Sequence, residues 1–309
     1  MDLKSSIIQT LSYFNFFDYP LTKEELFEFL WRPPRVSYED FLNELEKIKN
    51  ENSVETKCGY YFLPGRNEIT EKRRAALVES EIKIKIAKRA IKKIRSIPFL
   101  RAVFVCNSVG AEEATKESDI DFLIVAARGR VWIVRFFANL ILRVFGMRTY
   151  GSKQADKICL SFFIDEDNLD LSRCRIEEDD IHFAYWTRRM IPLYDPLNYY
   201  QKFLNANNWV EKFLPYIFKE ANFTSRVSVS DTLFAVCWKK AWEKMWAVAY
   251  GNMIEKQARE WQLAKIKFSV KEKAVAGDKG VIFGDGIIKL HENDCRLAIR
   301  KKFFDCRGF

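Results

Sequence analysis

The sequence predicts an α+β protein: a helical module closed by a hairpin (residues 1–67), a basic connecting helix (68–98), a mixed-sheet core (99–200) and a mainly helical C-terminal region (201–309). Three observations carry this. Apolar residues recur at helical spacing towards both ends of the chain. Between them, short apolar runs give the order strand, loop, strand, helix, strand. The chain has 309 residues, 48% of them hydrophobic, with only 12 Gly and 8 Pro, a composition that supports packed domains rather than disorder.

In the first module, Ile7, Ile8, Leu11 and Phe14 mark one helix. After the turn Asp18-Tyr19-Pro20-Leu21, Thr22 and Glu25 form a capping-box pattern opening a second helix through Leu26 and Leu30. Trp31-Arg32-Pro33-Pro34 breaks it, because proline lacks the backbone donor and its ring clashes within a helix. Ser37 caps a third helix with the stripe Phe41, Leu42, Leu45 and Ile48. Two short apolar runs around Cys58-Gly59 then read as a hairpin. Three helices and a two-stranded wing in this order resemble a winged helix, a fold that often presents its third helix to DNA. Here that helix carries Glu39, Asp40, Glu44 and Glu46 against Lys47 and Lys49, charges that would repel phosphates. A packing or dimerising module is at least as good a reading.

The connecting helix carries nine basic residues between Arg73 and Arg95, with Ile82, Ile86, Ala90 and Ile94 as its expected buried face. Such a run is usually a solvated face; its functional reading is an electropositive surface for nucleic acid or a triphosphate. Beyond Pro98, strands are expected over 101–106, 120–125 and 158–164, with a helix over 130–145. In the C-terminal region Phe234, Trp238, Trp242 and Trp246 form a helical stripe, more often a packing face than a ligand box. Gly284-Asp285-Gly286 marks a last hairpin.

Several classes are poorly supplied. The seven cysteines form no CxxC, and His182 and His291 are the only histidines, which argues against zinc ribbons, disulfide frameworks and Ser-His-Asp triads. The first residues, with Asp2 and Lys4, lack the apolar run of a signal peptide. The uncharged run 136–142 is far below the roughly 20 residues that span a bilayer. The expected location is a reducing cytoplasm, away from membranes.

The chemistry concentrates in Asn107-Ser108-Val109-Gly110 and in Ser118-Asp119-Ile120-Asp121, which runs into Phe122-Leu123-Ile124-Val125. Two residues apart on a strand, Asp119 and Asp121 share a face. Paired carboxylates there would repel unless a cation bridged them, and hard oxygen donors suit Mg²⁺ together with substrate phosphates. Alone, Asp-x-Asp reads as solvated surface more often than as chemistry; the apolar strand and the preceding turn change that.

In that context the segment resembles the signature of the DNA polymerase β-like nucleotidyltransferases in their small bacterial and archaeal form: a strand, a Gly-Ser or Gly-Gly turn, a short helix, then Asp-x-Asp on the next strand. The match covers residues 99–165. It implies Asp119 and Asp121 as catalytic metal ligands, and Asn107, Ser108, Gly110 and Ser118 lining the site of a nucleoside triphosphate. Asn107 stands where the family has glycine. The third carboxylate that the family often draws from the next strand has no counterpart inside 158–164; Asp156 or Asp165 could substitute, with Ser161 at the usual position.

Of the remaining polar groups, Arg148 and Lys153 are candidates to neutralise a triphosphate, though surface salt bridges are the commoner role. His182 reads as a helix-surface residue and the cluster His291, Asn293, Asp294 and Arg296 as structural. The expected activity is Mg²⁺-dependent transfer of a nucleoside monophosphate to a hydroxyl of a small molecule, an RNA end or a protein, with the C-terminal aromatic stripe closing the cleft or forming a homodimer. The alternatives are a nucleotide-sensing or inactive winged-helix DNA-binding regulator and an antitoxin-like partner of another protein. The net charge of +9, much of it on the helix leading into the core, fits a triphosphate or polyanionic acceptor near Asp119 and Asp121 better than a duplex.

Overall fold

A computed structural model describes residues 1–149, 151, 154–216, 228–247, 249–284 and 286–305. The N-terminal module contains α1 (Leu3–Asn15), α2 (Lys23–Glu28), α3 (Tyr38–Asn50) and the antiparallel pair β1 (Glu55–Lys57) and β2 (Tyr60–Phe62). Both helix starts legible in the sequence are built as capping boxes, Thr22 with Glu25 and Ser37 with Asp40. α2 stops at Glu28, short of Leu30, and the chain then carries Trp31 into the core, its N–H donating to Thr10 Oγ1 at 2.9 Å.

α4 (Ile69–Ile94) leads to a six-stranded sheet. Its strands β3 (Leu100–Cys106), β4 (Ile120–Ala126), β5 (Ile158–Asp165), β6 (Ile191–Tyr194), β7 (Val281–Gly284) and β8 (Ile287–Leu290) lie in the order β6-β3-β4-β5-β8-β7. β4 and β5 are parallel, joined across α6 (Val131–Val144); the other pairs are antiparallel, so the protein is α+β with a mixed sheet. A four-residue turn of helix, α5 (Asn107–Gly110), follows β3.

Strand alternation sorts the core. Val103, Val105, Phe122 and Ile124 face the layer formed by α4, α6 and α10 (Ala249–Lys265). Phe104, Leu123 and Val125 face α7 (Ile181–Arg188) and α8 (Tyr199–Ala206). The C-terminal hairpin returns to pair β8 with β5, so the last strands extend the core sheet rather than forming a separate body. Asp285 of its turn lies outside the described residues. Gly286 is required there: its φ is +77°, and a Cβ would meet the Asp165 carboxylate at 2.4 Å.

Two expectations about helices change. On α4 the buried residues include Arg73, Ser80, Lys83, Ala87, Ala90, Ile91 and Ile94, while Ile82 is exposed. A strict four-residue repeat drifts about 40° per step around a 3.6-residue helix, so of the expected row Ala90 and Ile94 are buried, Ile86 packs partly against the core and Ile82 leaves the buried face. The aromatic stripe on α9 (Leu233–Met245) is also only partly packed: Trp246 stacks on Phe137 at 6.0 Å, but Phe234 is 72% exposed. With Pro98 and Ile141 the stripe lines an open apolar groove of about 410 Å³.

The N-terminal module shares its core with the rest of the chain. Ile7, Leu11, Phe14, Trp31 and Phe41 join one cluster with Tyr185 of α7, with Phe213, and with Phe303 of α12 (Arg296–Asp305). Trp31 is fully buried, stacked on Phe213 at 5.0 Å and edge-on to Phe303 at 6.1 Å. Trp31→Ala should therefore destabilise the chain by about 3–5 kcal/mol in urea denaturation, with module and core melting in one transition. A separate early transition confined to the module would contradict the shared core.

Candidate functional site

Asp119 and Asp121 lie at the start of β4, beside the end of β3, where Cys106 pairs with Asp121. On the other side, the parallel register pairs Asp121 with Cys159 of β5. Ligand atoms of Asp119, Asp121 and Cys159 all lie within 4.8 Å of one another. The position that sequence reading gave to Ser161 is thus held by Cys159. The register between β4 and β5 slips by one residue past Asp121, so Leu123 pairs with Phe162, and Ser161 bonds His291 Nε2 at 3.0 Å instead. Neither substitute acid reaches the site. Asp156 pairs with Lys83 at 2.9 Å, and Asp165, at the far end of β5, accepts from Gly129 N–H at 3.0 Å.

The surroundings penalise both charges. Burial, then the charge of Asp119, pushes the Asp121 carboxyl up to about 6. Burial likewise raises Asp119, and together with the two acids it pushes the Cys159 thiol up. No basic side chain among the described residues closes an ion pair on either acid. Arg148 favours the charged forms of Asp119 and Cys159 and also interacts with the Cys159 side chain, while further bonds anchor it to Asn139 Oδ1 at 2.8 Å and to the Ile158 carbonyl at 3.0 Å. Lys153 lies outside the described residues.

The turn residues divide. Asn107 takes φ +53°, a left-handed conformation that Asn adopts more readily than most residues, and its Oδ1 accepts from Trp186 Nε1 at 2.6 Å. Asn107 and Ser108 line the cleft with Asp119 and Cys159. Gly110 does not: it is buried behind the turn, where a Cβ would meet the Val105 carbonyl oxygen at 2.7 Å, so its smallness serves packing. Ser118 closes its own loop, its hydroxyl accepting from Thr115 N–H at 2.9 Å.

Several residues that shape the site carried no signal in the sequence. Lys83 is completely buried and donates to the carbonyls of Lys116 (3.2 Å) and Ser118 (2.8 Å) as well as to Asp156, gripping the loop that delivers Asp119. The cleft, about 760 Å³, has a far wall from α1, α7, the end of β8 and the segment after it, including Tyr13, His182, Trp186, Lys289 and His291. His182 is thus not a surface residue; it is half-buried, and its Nδ1 shares a hydrogen bond with the Tyr13 hydroxyl at 2.9 Å. The tail cluster His291, Asn293, Asp294 and Arg296 lines the cleft as a whole, and within it Arg296 binds Asp294 at 2.7 Å and Asp180 at 2.8 Å.

No family model, curated protein or solved structure matches the chain.

Replacing Lys83 by Met should cost roughly 2–3 kcal/mol in urea denaturation, because two carbonyls of the Asp119 loop lose a charged donor. The histidines set a second outcome. Burial holds His182 and His291 at about 4, below the ordinary 6.5, with the field of Arg296 acting next on His182 and that of Lys289 next on His291. Protons therefore bind the unfolded chain better, and the stability of the neutral imidazoles, complete above pH 6.5, is lost as pH falls towards 4. The difference in denaturation midpoint between wild type and His182→Gln should shrink across that window; a difference independent of pH would refute the assignment.

Proposed function

We propose that the chain is a divalent-cation-dependent nucleotidyltransferase, moving a nucleoside monophosphate from a triphosphate to an acceptor hydroxyl. The observation that carries this is the acid pair Asp119 and Asp121 at the start of one strand, the first half-buried and the second buried, with no ion pair to a basic side chain among the described residues, at the edge of a cleft lined also by Asn107 and Ser108. The sequence of strand, turn, short helix and Asp-x-Asp strand resembles the DNA polymerase β-like nucleotidyltransferases at these positions.

The two carboxylates fit a divalent ion: they supply oxygens, and their mutual repulsion is what such an ion relieves. Mg²⁺ would be held by Asp119 and Asp121, and when bound it supplies charge neutralisation for triphosphate oxygens. The chain's own contribution is positioning. Lys83 fixes the loop before Asp119, Asn107 tethers the turn to Trp186, and Ser108 presents its face to the cleft. Phosphoryl transfer depends chiefly on such placement and on electrostatics.

A DNA-reading role for the first module has less support. Glu39, Asp40 and Glu46 are exposed on α3, and the module's apolar residues are engaged with α7 and α12. For the described residues, no helix is long and apolar enough to cross a membrane.

Incubation with each α-labelled nucleoside triphosphate and a divalent cation should transfer label to a co-purifying or added acceptor. Asp119→Ala or Asp121→Ala should lower transfer by roughly 10²–10³-fold, the scale of losing one charge-stabilising group. Unchanged transfer and unchanged cation-dependent nucleotide binding in both variants would remove the assignment.

A further inference from the structure

The metal reading above rests on two carboxylates, yet the geometry points to a third donor: Asp119, Asp121 and Cys159 together form a site for one thiophilic divalent ion of the zinc class, which they hold in preference to Mg²⁺. The inference builds on the proposed acid pair and changes the ion that the pair selects.

Three observations support it. The donor atoms lie within 4.8 Å of one another, a spread that a single ion can bridge with small side-chain adjustments. The backbone fixes the thiol there, since Cys159 is the register partner of Asp121. Asp121 is only 8% exposed and carries no ion pair among the described residues; its side-chain contacts are the neutral Asn107 and Cys159, so a cation would supply the charge partner it lacks. Both Asp119 and Cys159 also line the 760 Å³ cleft. Three protein donors with one side open to a cleft match the coordination of a reactive zinc site, in which the fourth position is left to water or substrate.

Softness decides the selectivity. Magnesium is a hard ion that keeps oxygen ligands and several waters, and it gains little from sulfur. Zinc and cobalt bind thiolate strongly, so a Cys beside two carboxylates biases the site towards them. On binding, the Cys159 S–H proton leaves to solvent and the freed sulfur lone pair forms the bond to the ion; no redox change occurs.

Cobalt(II) is the probe, because sulfur ligation gives it a thiolate-to-metal charge-transfer band independent of any activity. Titrating the metal-free full-length protein with Co²⁺ should produce that band at one equivalent. Zn²⁺ should abolish it stoichiometrically, whereas Mg²⁺ should compete only in large excess. Cys159→Ser and Asp121→Asn, each checked for native thermal unfolding, should both lose the band. Cys159→Ser should also narrow the Zn²⁺-over-Mg²⁺ preference by at least the roughly 10–100-fold that losing even an outer-shell partner costs. Persistence of the band in Cys159→Ser would assign it to another cysteine, such as exposed Cys58, Cys237 or Cys295, and overturn the inference. Binding of Mg²⁺ or Co²⁺ through the carboxylates with no sulfur band would overturn it while leaving the acid-pair reading intact. Failure of any divalent ion to bind would overturn both.

Discussion

Two carboxylates held on one face of a largely buried strand repel each other, and much of the surrounding chain acts to keep them there. With donor atoms under 4.8 Å apart, their repulsion amounts to about 3 kcal/mol or more at an effective dielectric constant near 20. The cost falls on Asp121 in particular, since it is the more deeply buried of the two. A loop free to relax would separate the charges. Here β4 is hydrogen-bonded on both sides, to β3 and to β5, and Lys83 clamps the segment before it through two carbonyls. The acids therefore stay together because the backbone leaves them no alternative.

The same rigidity extends to the N-terminal module. Arg73, buried on α4, bridges Glu25 of α2 at 3.0 Å and Glu112 of the α5–β4 loop at 2.9 Å. Tyr13 stacks on Tyr185 with ring centroids 4.5 Å apart and reaches His182 with its hydroxyl. The module is thus a wall of the cleft, and its packing is coupled to the shape of the site.

Local signals were legible in the sequence, and distant pairings were not. Capping boxes reveal α2 and α3 because cap and helix lie within four residues. Asp119 and Asp121 stand out because the alternation of β4 is local. Cys159 was hidden because it depends on a strand register set across an intervening helix, with a one-residue slip that no local pattern announces. Lys83 was hidden for a different reason. A lysine in a basic helix reads as solvated, and only the drift of the apolar row shows that it faces inward. His291 needed the pairing of β8 with β5, more than 120 residues apart in the chain, before it could be placed opposite Ser161.

The excess positive charge is the clearest case of structure redirecting an expectation from sequence. Near the cleft several cations are already engaged with acids, Lys83 with Asp156, Arg73 with Glu25 and Glu112, Arg189 with Glu113, Arg296 with Asp180 and Asp294, while Arg148 lies beside Asp119. The exposed bases of α4, among them Lys85, Arg89, Lys92 and Lys93, lie off the face that Lys83 turns towards the Asp119 loop. Opposite charges interact strongly at a few ångströms and are screened within about 10 Å in salt, so those outer lysines contribute little to binding inside the cleft. In the proposed reading, the positive charge that meets an anionic substrate comes from an ion held by Asp119 and Asp121, with Arg148 beside the acids. In that reading the identity of the ion governs how the cleft would recognise an anionic substrate, and Cys159, through its effect on that identity, would bear on recognition without having to touch the substrate.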